Sequence, residues 1–464
     1  MLRLAGAQAE CLFDEVLPAE VRELPEDLAP IDELLSDPEL LRPVAEHWWR
    51  EAERDGRSAC AHGRPTIAMA SYVRLMVVKQ RTGWGYETLV REVSDSLHLR
   101  RFCLIPLHGR VPDESTLRKL TRRLGPGTVA ELTRAVIAKA RRERRFRARA
   151  ARIDSTVVEA DVRYPSDAAL CLQGARALAR SGSRLAERVG EQASAVRDRS
   201  RAIGRRVRRI ARTLARRTGK AKEEVIALNA EAGELLRRSA REASRLAAQA
   251  RARARGRGAQ AKLRAAAALE ELAGRAERVA EQTAKRLQGE KITDRIVSLS
   301  DPDARPIRKG KLGKPNEFGY VAQICEVTQD TRPGARGFVL PASSAPGNPS
   351  ENTLLPETVS ELKALELRPR EVALDGAFGH RRSAEQLAEL KPERIFVSGR
   401  SEPGSARTKR RLRRYRTGSE GRISHLKRRY GLRRSRLKGH RGQRTWTGWS
   451  ILAYNLDTFA VLPR

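Results

Sequence analysis

The sequence is poor in aromatic residues and in cysteine, and no apolar run is long enough to cross a bilayer. Phe, Trp and Tyr together make up 4% of the 464 residues. The odd number of cysteines, with no Cys-x-x-Cys pair, excludes a disulfide framework and a zinc ribbon. We expect reduced core thiols at Cys11, Cys60, Cys103, Cys171 and Cys325. The N-terminus lacks a basic segment followed by an apolar core, so we expect an intracellular, soluble protein.

Negative charge is also scarce. Lys and Arg number 93 against 57 Asp and Glu, which gives a formal net charge of +36 and a pI near 11.1. This balance favours a polyanionic partner, and nucleic acid is the default. A membrane surface would attract the same charge, but we expect no membrane partner because nothing predicts a spanning segment. The expected location is the cytoplasm, in association with the nucleoid.

The length predicts two or three units. Residues 1–60 carry mostly acidic charge and five prolines, which is typical of a short acidic helical leader. Residues 61–150 have apolar residues at helical spacing, which predicts a helical DNA-binding or dimerisation region. Within it a helix-turn-helix and a plain bundle fit equally well.

Residues 167–290 are rich in Ala, Arg, Glu and Leu and keep heptad-like spacing, which predicts a coiled-coil-like helical insertion. Two breaks, near Gly219 and near Gly256, predict about three helices. Residues 201–217 contain eight arginines. These arginines fit a solvated helix face and a surface that follows a DNA backbone equally well.

Residues 151–166 and 291–464 have the β-branched, apolar runs of strands, interleaved with helical patterns. The predicted strands are 152–159, 318–327, 337–340, 371–374 and 394–397. Strands that alternate with helices indicate an α/β domain, which the helical segment interrupts.

Three acidic residues stand out in this basic sequence. Asp154 lies in the run ARIDSTVVEA, Asp375 ends the run REVALDG, and Glu420 opens a helical pattern in SEGRISHLKRRYG. Carboxylates brought together from two strands and a helix would bind hard divalent cations, which prefer oxygen ligands. A single Asp at a strand end is more often a turn residue, and a single Glu among arginines more often half of a surface ion pair. The three acids together predict a metal site that cuts nucleic acid.

These residues and their neighbours resemble the DDE transposases of bacterial insertion sequences. The resemblance extends to RPTIAMASYVRLMVVKQRTGWGYETLVREVSDSLHLRRF near the N-terminus and to WTGWSILAYNL at the end. An ISNCY-like branch with a Tyr-Arg-Glu-Lys signature is the nearest pattern, with Arg416, Glu420 and Lys427 in the last three places. The tyrosine place falls on Arg413, and Tyr415 is offset by two residues.

The resemblance implies a ribonuclease-H-like mixed-sheet catalytic domain, interrupted by the long all-α insertion and preceded by an all-α N-terminal domain. It implies that Asp154, Asp375 and Glu420 are catalytic and bind two Mg²⁺ or Mn²⁺ ions. It also implies a transposase that binds terminal inverted repeats of double-stranded DNA, cleaves there, and joins 3′ ends to target DNA as a homodimer or larger assembly. The DNA contacts are expected at Arg416, Lys427, Arg413 and Arg428.

Two other functions are compatible with the sequence. The charge and the long Ala/Arg helices fit a non-catalytic scaffold that binds and compacts DNA. The three acids also fit a DDE-type nuclease that lacks strand transfer. Metal-dependent nicking separates an enzyme from the scaffold, and joining of a pre-cut end separates a transposase from the nuclease.

Overall fold

A computed structural model describes residues 1–6, 16–56, 65–190, 195–216, 218–308 and 316–463. The chain divides into two compact units. The first unit combines Met1–Asp161 with Tyr320–Arg464, and the second is Val162–Gly319. None of the described helices is long and apolar enough to cross a membrane.

The first unit begins with helices. Those described ahead of its first strand are α1 (Ala19–Arg22), α2 (Ala29–Leu35), α3 (Arg42–Arg54), α4 (Met69–Thr82), α5 (Tyr86–Asp95), α6 (Leu97–Phe102) and α7 (Glu114–Glu143), with a short 3-10 helix at Pro38–Leu41. Helix α7 is kinked at Gly125, whose φ of 66° is a left-handed value that glycine adopts readily. Pro126 then continues the helix without needing an N–H donor.

Eight strands are described. They are β1 (Ala150–Ala160), β2 (Arg305–Arg308), β3 (Asn316–Thr328), β4 (Phe338–Val339), β5 (Ser343–Pro346), β6 (Glu371–Leu374), β7 (Arg394–Val397) and β8 (Arg434–Ser435). In the first unit the order is β3-β1-β6-β7, with β6 parallel to both β1 and β7. Strands β4 and β5 pair antiparallel with β3, and β8 pairs parallel with the end of β1. The sheet is therefore mixed, as expected.

Four helices accompany the later strands of the first unit. They are α12 (Glu351–Ala364), α13 (His380–Leu387), α14 (Ala406–Arg429) and α15 (Gly439–Val461), and a 3-10 turn at Ala388–Leu390 extends α13. Helix α15 is apolar and buried along most of its length. Trp449 from α15 meets Tyr72 from α4 edge to face, with ring centroids 5.8 Å apart. This contact joins the N-terminal helices to the end of the chain in one core.

The second unit consists mainly of helices. Its described helices are α8 (Asp167–Val189), α9 (Ser200–Leu214), α10 (Gly219–Ala252) and α11 (Ala259–Leu287). The prediction of about three helices was wrong, because the chain also breaks at Gly190, whose φ of 103° is left-handed. Strand β2 pairs antiparallel with the first residues of β3.

The arginine-rich run of the second unit is partly neutralised. Arg206 and Arg209 each lie 2.6 Å from a glutamate of α10, Glu231 and Glu224 respectively. Arg217 lies outside the described residues. The pairs fit a solvated helix face better than a row of unpaired cations.

The predicted buried thiols are confirmed where the structure describes them. Cys103, Cys171 and Cys325 are free and buried. Burial raises the pKa of all three thiols, which keeps them protonated and unreactive. Cys11 and Cys60 lie outside the described residues.

Candidate active site

Two of the three acids lie side by side on the sheet. Asp154 is in the middle of β1, and Asp375 follows directly after β6. The two strands are parallel, and Ile153 is opposite Leu374 in their register. The next residues along the two strands are therefore Asp154 and Asp375. The apolar runs that made each residue stand out in the sequence are the buried strands themselves.

Glu420 lies on α14, but not where the pattern predicted. The helix does not open near Glu420; it begins at Ala406, after Ser405, whose hydroxyl accepts a hydrogen bond from the N–H of Thr408. The first half of α14 is so rich in arginine that only Leu412 and Tyr415 mark its buried face. Apolar spacing becomes evident only from Ile423 onward, so the predicted start of the helix was too late.

Arg416 connects two of the acids. Its Nη1 lies 2.7 Å from Asp375 Oδ1, and its Nη2 lies 2.7 Å from Glu420 Oε1. Glu420 is four residues after Arg416, the helical spacing at which side chains meet. The Arg416 side chain is 13% exposed, so this fork is held largely out of solvent. Arg416 is therefore the counter-ion of the acids in this structure.

Ser419 connects the remaining acid to the same helix. Its hydroxyl donates to Asp154 Oδ2 at 3.1 Å, while the N–H of Ser155 donates to Oδ1 at 2.8 Å. Burial raises the pKa of Asp154, and the neighbouring charge of Asp375 raises it further, against the hydrogen bond from Ser419. The two aspartates thus lie close enough to repel each other. A positive charge near the two aspartates would reduce this repulsion.

A fourth acid lies beside this group. Glu351 is the first residue of α12, and it accepts a hydrogen bond from the hydroxyl of Ser155. The sequence analysis missed Glu351 and Ser419. The only sequence signal for Ser419 was its position next to Glu420, and Glu351 sits in an ordinary helix-start pattern.

A buried ionic network fixes α14 against the sheet. Arg152 precedes Asp154 by two residues on β1, and its Nη2 lies 2.6 Å from Glu326 Oε2 on β3. Arg422 from α14 reaches the other oxygen of Glu326 at 2.9 Å. Arg152 also donates to the backbone carbonyl of Tyr415 at 3.2 Å. Since Arg152 is 4% and Glu326 1% exposed at the side chain, both charges depend on these partners.

The other residues expected to contact DNA lie on the same helix. Arg413 forms an ion pair with Glu402 at 2.6 Å and is 61% exposed. Lys427 is half-buried and Arg428 is exposed, both in the last turn of α14. Tyr415, the offset tyrosine of the signature, is buried, and its hydroxyl lies 2.6 Å from that of Thr328. Among these four basic residues, Arg416 contacts Asp375 and Glu420.

The chemistry of the acids suits a hard cation, although the described residues contain no group of three or more His, Cys, Asp or Glu arranged to hold a metal ion. Carboxylate oxygens are the ligands that Mg²⁺ prefers. In this structure a guanidinium supplies the positive charge between Asp375 and Glu420. The carboxylates of Asp375 and Glu420 would therefore suit a divalent ion if Arg416 released them.

Comparison with known families gives two matches. Residues 29–123 match the model Transposase domain (DUF772), and residues 330–456 match the model Transposase DDE domain. No curated protein and no solved structure matches the chain. The second match spans Asp375, Arg416, Glu420 and Lys427, whereas Asp154 lies outside both matched ranges.

Two regions of the chain are thus similar to transposase domains, and transposases act on DNA. More particularly, the matches support a DDE transposase of the insertion-sequence type, as the sequence predicted. The ISNCY-like branch stays a prediction.

Proposed function

We propose that the protein binds the terminal inverted repeats of an insertion sequence, cleaves DNA at its ends and joins the 3′ ends to target DNA. Asp154, Asp375 and Glu420 are the catalytic acids in this proposal. The observation that carries it is that Arg416 binds both Asp375 and Glu420, while Asp154 lies beside Asp375. Asp375 and Glu420 are 45 residues apart in sequence and have no structural need to share one cation.

The catalytic domain in this proposal has the ribonuclease-H-like fold. The support is a sheet in which β6 is parallel to β1 and β7, while β3 pairs antiparallel with β4 and β5. The helical unit Val162–Gly319 enters the chain between β1 and the greater part of β3, which supports the proposed insertion, residues 167–290. Residues 61–150 supply DNA binding or dimerisation, and a dimer or larger assembly brings two DNA ends together.

Asp154, Asp375 and Glu420 would hold two Mg²⁺ or Mn²⁺ ions. When bound, such a pair activates the attacking oxygen and neutralises the leaving oxygen of an in-line displacement at phosphorus. Ser419 orients Asp154 through its hydrogen bond, and the buried pair of Arg152 with Glu326 keeps α14 in place. No covalent protein nucleophile is required.

The basic residues of α14 would hold the DNA. Arg416 now pairs with Asp375 and Glu420, which would bind metal ions in this proposal, so Arg416 would lose these partners. Released from them, its planar fork suits a phosphate in two parallel hydrogen bonds. Lys427, Arg413 and Arg428 would contact flanking phosphates, which position DNA without reading its sequence.

The test is a single-turnover cleavage and strand-transfer assay on duplexes that carry the inverted repeats flanking the gene. Asp154→Ala, Asp375→Ala and Glu420→Ala should each abolish cleavage with Mg²⁺ and leave DNA binding largely intact. Asp161→Ala is the matched control, since this exposed acid lies one residue beyond β1 and outside the site. Cleavage like that of the wild type by any of the three variants removes that residue from the proposed site.

A further inference from the structure

A row of arginines lies at the N-terminal ends of β1 and β6, ahead of Asp154 and Asp375 along the chain. Two segments, residues 145–149 and 366–370, lead into these strands, and the N–H of Arg370 donates to the carbonyl of Arg149 at 2.8 Å. The segments therefore run side by side. Their exposed side chains form what we call the arginine cleft: Arg145, Arg147, Arg149, Arg368 and Arg370.

Strict alternation places these side chains together. Phe146 and Ala148 are buried between the arginines of the first segment, and Leu367 and Pro369 alternate in the same way in the second. Alternate residues of adjacent extended segments point to the same side. The apolar residues pack into the core, so the arginine side chains are exposed and can contact a partner.

The five arginines line one open cleft of about 740 Å³, together with Arg141 and Arg142. Glu366 is the single carboxylate among the lining residues. Arg370 lies 3.4 Å from Glu393 at the surface. Within the part of the chain that the structure describes, the guanidinium groups of Arg145, Arg147, Arg149 and Arg368 form no ion pair.

Unpaired guanidinium groups in one cleft repel one another, whereas Arg206 and Arg209 in the second unit each have a carboxylate partner. A polyanion would relieve that repulsion. The cleft is open rather than enclosed, and planar guanidinium groups line it. It therefore suits an extended chain of phosphates better than a single small anion.

The distance to the acids suits a DNA duplex. Asp154 is the fifth residue after Arg149, and Asp375 is the fifth residue after Arg370. At roughly 3.3 Å per residue the cleft lies about 16 Å along the strands from the acids. A duplex carries one charge per roughly 1.7 Å of its axis, so about ten phosphates span this distance.

We propose that the arginine cleft is a second binding site for the DNA phosphate backbone, separate from the acids and their neighbouring cations. It takes duplex DNA without regard to sequence and holds the part of the molecule that extends beyond the point of cleavage. The choice of DNA as the polyanion rests on the proposed function, whereas the site itself rests on the geometry of the two segments.

The experiment measures how the affinity of the full-length protein for a duplex depends on salt. Arg147→Gln/Arg149→Gln and Arg368→Gln/Arg370→Gln each remove two charges from the cleft. Counter-ion release predicts that each double variant lowers the slope of log K against log salt by about two units. Single-turnover cleavage at low DNA concentration should fall with the affinity and recover as the DNA concentration is raised, because neither pair contacts the acids.

Arg22→Gln/Arg54→Gln is the charge-matched control, since both arginines are exposed in the same unit and neither lines the cleft. Cleft variants whose slopes equal that of the control overturn the proposal. Loss of binding to poly-L-glutamate with an unchanged DNA slope also overturns it, in favour of an acidic protein partner. If the cleft variants lower the slope but the wild type never cleaves DNA, the proposed function is overturned and this inference stands.

Discussion

The guanidinium of Arg152 lies directly against Gly418, so that a Cβ at Gly418 would be 1.9 Å from Arg152 Nη1. Glycine in the middle of a helix is unfavourable by roughly 0.5–1 kcal/mol relative to alanine. Here no larger residue fits, because β1 and α14 approach each other at this point. Ser419 and Glu420 follow Gly418, so this close approach positions the helix residues of the candidate site.

Gly418→Ala should therefore displace α14 from β1. We expect a loss of stability of about 1–3 kcal/mol, typical of an overpacked core, and a strong loss of cleavage. Binding to duplex DNA should persist, because many other basic residues remain. Urea unfolding and single-turnover cleavage measure the two effects.

Gly421→Ala is the matched control on the same helix. A Cβ at Gly421 would meet nothing within 4 Å, so alanine should stabilise the helix by about 0.5–1 kcal/mol and leave cleavage unchanged. Equal behaviour of the two variants would contradict the positioning role of the Arg152–Gly418 contact.

Glu326→Gln should be among the most damaging single changes in the first unit. It leaves Arg152 and Arg422 as buried cations without their carboxylate, and breaking one side of a buried ion pair typically costs about 3–5 kcal/mol. Glu402→Gln, which breaks the exposed pair with Arg413, should change stability little. Urea unfolding compares them, and similar midpoints would mean that the buried network contributes no more than a surface pair.

Local pattern predicted much of the sheet. The strands 371–374 and 394–397 match β6 and β7, because short β-branched runs between turn residues are a strong signal. Asp154 and Asp375 could be found because each interrupts or ends such a run. Strand β5 was missed, since SSAP has no apolar alternation.

The contacts around the acids could not be predicted. Arg152 and Glu326 are 174 residues apart, and no local pattern pairs them. Arg416, which is predicted to contact DNA, contacts Asp375 and Glu420 in this structure; the sequence shows only that it lies four residues before Glu420. Nothing in the sequence around Gly418 indicates that Arg152 packs against it.

Arg416→Gln should raise the affinity of the protein for Mn²⁺ in the absence of DNA, because it removes the cation that competes for Asp375 and Glu420. Titration calorimetry of the protein alone measures this. The same variant should cleave DNA poorly, since it lacks the fork proposed to bind phosphate. Arg413→Gln is the control, as Arg413 pairs with Glu402 rather than with these acids. Weaker Mn²⁺ binding would mean that Arg416 orders the acids instead of competing with the metal.

Lys79 is a buried cation without a hydrogen-bond partner among the described residues. It is 1% exposed, and its Nζ lies 4.1 Å from the ring centre of Trp446 and 4.8 Å from that of Tyr86. Burial lowers the pKa of Lys79 to about 7. Two effects therefore oppose each other: desolvation penalises the charge, while the aromatic rings attract it by up to about 2 kcal/mol.

The sign of the pH dependence follows from this lowered pKa. Unfolded lysine titrates near pH 10.4, so as pH falls from about 10.4 to 7 the unfolded state gains a proton that the folded state does not, and stability decreases. Lys79→Met keeps the length of the side chain and removes the charge. It should raise the free energy of unfolding by about 1–3 kcal/mol at pH 6.5, after the lost ring contacts are counted, and by little at pH 10. Urea unfolding at both pH values measures the difference. Destabilisation at pH 6.5 would mean that Trp446 and Tyr86 stabilise the ammonium by more than its burial costs.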